Sequence, residues 1–199
     1  MRSNIALFPT AILNERGFLN PDQCRDIHDF LKLKEGDLKP HSNIINDEES
    51  KSTYSENEDI LNDIRRNVKG CGNVILDVND HAKDYGKLSG FKMKGEMMNS
   101  WFNVQNVNSV LTEHTHPLSV LSGALFINVN EDSSPLCFQN PNPHVSFTPR
   151  EKDTTYNGAW VEFKPEMGEL FLFPSWLKHG SNGVKNNFSE RTVISFNMI

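Results

Sequence analysis

Three histidines and one arginine in the second half of the chain are the residues whose types and spacing carry chemistry. His114 and His116 form a His-x-His pair within LTEHTHPLSVLSG. On an extended backbone residues i and i+2 face the same side, about 7 Å apart along the strand, so two imidazoles placed this way can converge on one metal ion. A lone His-x-His is a weak signal and recurs in many chains. Here a third imidazole, His179, follows far downstream in FPSWLKHGSNG, just after an apolar run. Three imidazoles delivered by two chain segments make a facial site with open positions for substrate and oxygen. Arg191 then opens the run RTVISFN. An arginine aimed into such a site offers a rigid two-pronged fork for a carboxylate. The set therefore suits a dicarboxylate that chelates the metal at one end. Alone, Arg191 would read as a surface partner of Glu190 or Glu169; beside the three histidines the ligand role is favoured. The other four histidines do not join the set. His28 lies in a helical stretch, His81 near a helix end, and His41 and His144 in loops, and each reads as solvated or structural.

Two kinds of element must position these groups. The first half of the chain has helical periodicity. Asn20, Pro21 and Gln23 form a capping box with proline in the first turn, and Cys24, Ile27, Phe30 and Leu31 recur at helical spacing up to Gly36. Ser55 and Glu58 have the spacing of a second capping box, followed by a stripe of Ile60, Leu61, Ile64 and Val68 ending at Gly70. Val74, Ile75, Val78 and Ala82 form a third stripe running to Gly86. Residues 37–54 read as polar and irregular, and the acidic stretch 46–59 as a surface loop entering the second helix. From residue 99 onward the period changes. Short β-rich runs at Trp101–Val107, Val120–Val129, Leu136–Phe138, Trp160–Phe163, Leu170–Phe173 and Thr192–Asn197 alternate with Pro, Gly and Asn clusters. Helices first and many short strands afterwards predict an α+β fold with a β-sandwich or jelly roll.

Composition narrows the functions this frame can serve. The chain has 199 residues, with 20 Lys plus Arg against 26 Asp plus Glu, a net charge of −6. That length suits one domain with a self-sufficient core: residues 1–98 as a mainly helical cover with the first strand, and 99–199 as the β core with the metal site. No apolar run approaches the ~20 residues of a membrane span, and the first residues make a poor signal peptide. An acidic chain without a Lys/Arg cluster is a poor nucleic-acid binder. Cys24, Cys71 and Cys137 are odd in number and far apart, which argues against a disulfide framework and for a reduced, cytoplasmic setting.

The segments SWFNV, EHTHPLSVLSG, GELFLFPSWLKHG and ERTVISFN together resemble the Fe(II)- and 2-oxoglutarate-dependent oxygenases, in particular a bacterial and phage-borne branch with a leading LFPT-type segment, here Leu7–Thr10. The likeness runs from Leu7 onward and is most specific across 100–123 and 168–197. It implies a double-stranded β-helix (jelly-roll) barrel with N-terminal helices packed on it. It further implies Fe(II) bound by His114, His116 and His179, 2-oxoglutarate as cosubstrate, and hydroxylation of a small-molecule or peptidyl substrate with release of succinate and CO2. Arg191 matches the arginine that pairs with the distal carboxylate of 2-oxoglutarate, and Asn103 a polar position lining the cosubstrate pocket. Ser195 and Asn197 share the strand parity of Arg191 and are expected to line that pocket too. Trp176 is expected near the distal histidine, or in a packing role only.

The chain also departs from the family pattern. Most of the superfamily has a carboxylate where this chain has His116. Three neutral imidazoles cancel none of the charge on Fe(II) and also suit Zn, Cu and Ni. Glu113, the nearest carboxylate, faces the other side of a regular strand. A site of two protein ligands plus water, with His116 outside the first sphere, stays open. Val193 and Phe126 stand where relatives often carry Ser and Tyr, so two carboxylate-binding hydroxyls are missing. A cupin with the same His-x-His and distal His but no use for 2-oxoglutarate is the competing reading, and Arg191 weighs against it. A non-catalytic metal-stabilised module is a third, and a homodimer is left open.

Overall fold

The computed structural model describes residues 9–40, 44–45, 50–56 and 58–199. His41 and the first half of the Leu7–Thr10 segment lie outside the described residues, as do 46–49 of the acidic stretch.

Helix α1 (Pro21–Lys32) begins as its sequence directs. The Asn20 side chain accepts from the Gln23 backbone N–H at 2.9 Å, and Gln23 Oε1 accepts from the Asn20 N–H at 3.0 Å. Cys24, Ile27 and Leu31 form its buried stripe. It stops short of Gly36, because the N–H groups of Leu33 and Lys34 tighten onto the carbonyls of Phe30 and Leu31, and a separate 3-10 turn covers Glu35–Asp37. Helix α2 (Ile60–Asn67) starts later than the Ser55/Glu58 box predicts. Its cap comes from a distant strand: Ser100 Oγ accepts from the Leu61 N–H at 3.0 Å, while Ser55 turns toward Glu56. Helix α3 (Val74–Ser89) runs through Gly86 and ends at Gly90, whose φ of 75° supplies the left-handed cap. Gly86 is a packing glycine rather than a stop: a Cβ there would meet Met93 Cγ at 2.7 Å.

Among the described residues ten strands follow the chain order β1 (Leu13–Glu15), β2 (Lys39–Pro40), β3 (Lys51–Ser52), β4 (Met97–Gln105), β5 (Leu121–Asn128), β6 (Leu136–Gln139), β7 (Trp160–Phe163), β8 (Leu170–Pro174), β9 (His179–Gly180) and β10 (Arg191–Met198). The larger sheet has the order β1-β8-β5-β10-β4-β3-β2 and the smaller β7-β6-β9, with neighbouring strands antiparallel in both. β2 and β3 fall in the stretch expected to be irregular. Their partner is remote, since Lys51 and Ser52 pair with Val104 and Asn103.

Alternation in β10 sets the layers. Ile194, Phe196 and Met198 join Leu121, Leu125, Leu170 and Leu172 in a core shared with the helices. Val193 joins Phe126, Phe171 and Phe173 in a second core, with Leu136 and Phe138 of the smaller sheet. The larger sheet is thus covered by helices on one face and by the smaller sheet on the other, a mixed α and β architecture. Phe196 belongs to the helix-side core, whereas Phe173 reaches the cavity between the sheets. Among the described residues no helix is long and apolar enough to cross a membrane. The three cysteines are free and buried.

Gly168 joins the entry of α1 to the larger sheet. Its φ is +80°, its N–H donates to the Phe126 carbonyl at 2.7 Å, and its carbonyl accepts from the Leu19 N–H at 3.0 Å. A Cβ would fall 2.0 Å from the Leu19 carbonyl oxygen, which is backbone and cannot swing aside. Gly168→Ala is expected to cost about 2–4 kcal/mol of stability from left-handed strain and overpacking together. Urea unfolding curves read this directly, and a change under 1 kcal/mol would contradict the contact.

Candidate metal centre and its cavity

The His-x-His segment is laid against the segment that carries the third histidine. The His114 N–H donates to the His179 carbonyl at 2.9 Å, and the His179 N–H donates to the His114 carbonyl at 3.0 Å. The His116 N–H donates to the Ser175 carbonyl at 2.9 Å. This short antiparallel pairing, rather than a long strand, brings the three rings together. Ring centroids lie 4.4 Å apart for His114 and His179, 5.0 Å for His114 and His116, and 5.1 Å for His116 and His179. One ligating nitrogen from each ring lies within 4.8 Å of the other two.

Backbone carbonyls orient two of the rings. His114 Nδ1 is 2.8 Å from the Thr112 carbonyl and His179 Nδ1 is 2.9 Å from the Leu177 carbonyl. A carbonyl only accepts, so both Nδ1 atoms are assigned the proton when the rings are neutral, and the lone pair sits on Nε2. His179 Nε2 and His116 Nε2 are 3.2 Å apart. Burial first, and the neighbouring His114 second, push His116 down to about 3. Burial, then His114 and His116, hold His179 well below 6.5. Both rings are therefore neutral at physiological pH, the state that ligates a metal. With metal–nitrogen bonds of 2.0–2.1 Å, adjacent ligand nitrogens lie about 3.0–3.4 Å apart, so the 3.2 Å separation fits a shared ion. Among the described residues no carboxylate belongs to the cluster.

The histidines line a partly open cavity of about 50 Å³. Arg191 stands in the wall of the same cavity, 3% exposed. Its Nη1 donates to Gln105 Oε1 and its Nη2 to the Ser134 carbonyl at 3.3 Å, while its Nε has no partner. Its guanidinium carbon lies 5.4 Å from the centre of the Phe126 ring. Burial pulls its pKa down to about 10. The surface partners weighed for it are engaged elsewhere: Glu190 with Lys32, and Glu169 with Asn14 and Arg16.

Asn103 and Ser195 are also in the wall, and Asn103 Nδ2 donates to Ser195 Oγ at 3.1 Å. Asn197 sits farther along β10, where its Oδ1 accepts from Ser122 and its Nδ2 donates to Asn99 Oδ1 at 3.0 Å. Phe126 and Val193 contribute apolar wall. Trp176 is 52% exposed over a separate surface hollow with Pro141 and Pro143, and does not pack on the distal histidine. The aromatic rings beside the cluster are instead Trp101, 5.8 Å from His116, and Phe173 and Phe138, 4.5 and 6.1 Å from His179. Of the remaining histidines, His28 lies in α1 and His144 in a short 3-10 helix, while His81 lies well inside α3, where it contacts Glu15. Sequence reasoning missed Trp101 and Gln105. The strand parity of Asn103 puts both on its own face, and that signal was available.

Residues 99–197 match a family model described as "Putative 2OG-Fe(II) oxygenase". No curated protein sequence matches the chain. Among solved structures, the chain is similar to a prolyl-4-hydroxylase from Pseudomonas putida, with a TM-score of 0.64 at 11% identity over 95% of this chain and 92% of that one. It is also similar to HygX from Streptomyces hygroscopicus, solved with nickel and 2-oxoglutarate bound, with a TM-score of 0.56 at 11% identity over 94% and 82%. A third similar structure is a prolyl hydroxylase from Trichoplax adhaerens in complex with a hypoxia inducible factor peptide fragment, with a TM-score of 0.54 at 12% identity over 94% and 83%.

Proposed function

Through residues 99–197 the chain belongs to the 2OG-Fe(II) oxygenases, and on that premise we propose that it is a dioxygenase that hydroxylates a small molecule or a peptide side chain while converting 2-oxoglutarate to succinate and CO2. The observation that carries this reading is one cavity with three converging imidazoles and a buried guanidinium that faces no carboxylate. His114, His116 and His179 hold the iron. Fe(II), when bound, supplies the activation of oxygen. Arg191 holds the distal carboxylate of 2-oxoglutarate by charge-assisted hydrogen bonds. Asn103 and Ser195, already paired, face the cosubstrate, and Asn197 steadies the end of their strand. Phe126 and Phe173 keep water from the reacting end. With His116 in place of a carboxylate, the protein neutralises none of the charge on the metal, and the cosubstrate dianion does so instead. The two antiparallel sheets around the cavity are read as the walls of a jelly-roll barrel.

A peptide or a small molecule both suit a partly open cavity. Nucleic acid does not suit a chain of net charge −6. Free buried cysteines suit a cytoplasmic setting, and light scattering tests for a homodimer. A cupin that does without 2-oxoglutarate has no use for a buried Arg191.

The test is anaerobic. Fe(II) followed by 2-oxoglutarate is expected to give a visible metal-to-ligand charge-transfer band in the wild type and none in His179→Ala. Absence of the band in the wild type, with tight zinc binding unaffected by Arg191→Glu, would overturn the reading.

A further inference from the structure

Gln105 lies on β4 directly across from Arg191 in register and is 2% exposed. Its Oε1 accepts from Arg191 Nη1. A guanidinium only donates, so the amide oxygen must face it and the amide NH2 must face elsewhere. That nitrogen, Nε2, has no hydrogen-bond partner. Arg191 Nε lacks one too, as does Ser134 Oγ, on the residue whose carbonyl takes Arg191 Nη2. Native interiors leave few such atoms. Three of them around one guanidinium mark a place shaped for a ligand that accepts hydrogen bonds. The charge of the ligand follows from the same contacts: Arg191 has only neutral acceptors, an amide oxygen and a carbonyl. Gln105 and Arg191 share the cavity wall with Phe126 and Val193, neither of which carries a hydroxyl.

Resting on the reading of this cavity as a 2-oxoglutarate site, we propose that Gln105 Nε2 is the second donor, beside Arg191, to the distal carboxylate of 2-oxoglutarate. This amide-and-guanidinium pair selects a 2-oxo dicarboxylate over a 2-oxo monocarboxylate. The amide does two jobs at once. Its oxygen fixes the guanidinium, and its NH2 completes the donor set that the apolar residues at 126 and 193 leave short.

The test measures binding without turnover. Fe(II)-loaded protein is titrated anaerobically with 2-oxoglutarate and with 2-oxopentanoate, which has the same carbon chain without the distal carboxylate. Gln105→Met is expected to lower the preference for 2-oxoglutarate about tenfold, the usual effect of one hydrogen bond to a charged group. Affinity for 2-oxopentanoate and for Fe(II) should stay within about twofold, which a general loosening of the site would not allow. Gln105→Glu keeps the acceptor for Arg191 and is the variant to use if Gln105→Met fails to fold. It sets a carboxylate against the distal carboxylate and should lower the preference further still. A preference within twofold of wild type in the folded variant overturns the proposal alone. A wild-type protein that does not discriminate between the two acids overturns the cosubstrate reading and the proposal with it.

Discussion

Arg191→Met is expected to leave the ligand-free protein within about 2 kcal/mol of the wild type in stability, while weakening its hold on 2-oxoglutarate several hundredfold. The two effects share one cause. The guanidinium is 3% exposed, meets only two neutral acceptors, and has an unpartnered Nε. Keeping a charge in that setting is costly, as its depressed pKa of about 10 records. Replacing such a buried charge by an apolar side chain of similar volume commonly stabilises by about 1–4 kcal/mol. Against this stand the lost contact with Phe126, about 1 kcal/mol, and the acceptors left behind at Gln105 and Ser134, about 1 kcal/mol each at the low end. The balance is close to zero, between about −2 and +1 kcal/mol. The loss of affinity is large because about two charge-assisted hydrogen bonds, at about 1.5–2 kcal/mol each, vanish with a guanidinium that is itself buried. Urea unfolding in a chelator reads the first effect and anaerobic titration the second. A variant that is less stable and binds 2-oxoglutarate like the wild type would show that Arg191 is a packing residue.

Acid should destabilise the metal-free protein between pH 7 and pH 5, by about 2 kcal/mol through His116 and further through His179. His116 is pushed down to about 3, by burial and then by His114, and His179 is held well below 6.5 by burial and the other two rings. In the unfolded chain both titrate near 6.5. Below that value the unfolded state binds protons that the folded state refuses. Stability is therefore at full strength above pH 6.5 and is lost as pH falls toward the folded-state values, at up to about 1.4 kcal/mol per pH unit for each ring. Integrated to pH 5, His116 contributes about 2 kcal/mol, and His179 adds to it with the same sign. The slope of unfolding free energy against pH gives the measurement. His179→Leu should lose part of it, and an unchanged slope would mean that the rings are not held neutral. Bound metal should steepen the acid dependence, because the ion leaves as its ligands protonate.

Local signals in the sequence survived folding and remote ones did not. Asn20, Pro21 and Gln23 predict the start of α1 because their hydrogen bonds close within four residues. Ser55 and Glu58 mispredict α2 because its cap is Ser100, which only the folded sheet brings near. Gly86 looks like a helix stop because glycine usually is one. Met93 lying against it cannot be read from its neighbours in sequence. β2 and β3 have no periodicity of their own; β4 offers β3 an edge, and β3 in turn offers one to β2. In the site, the histidines and Arg191 were legible because their chemistry is rare and their motif specific. Trp101 was hidden behind Trp176, the tryptophan nearer to a motif, while packing put Trp101 beside His116. Gln105 carries no motif, and its meaning comes from lying opposite Arg191 across β4 and β10.

The place of β10 in the larger sheet bears on how the chain reaches this structure at all. β10 is the last strand in sequence, yet it lies at the sheet's centre, between β5 and β4. While the chain is being synthesised, residues 97–105 and 121–128 emerge long before residues 191–198, and until then neither strand has its central partner. Each presents an unpaired edge and an apolar face, the combination that recruits other chains. Pairings this remote in sequence also form slowly. The segment that delivers Arg191 to the cavity is therefore also the keystone of the sheet, and a nascent chain that lacks it is the species a chaperone must shield.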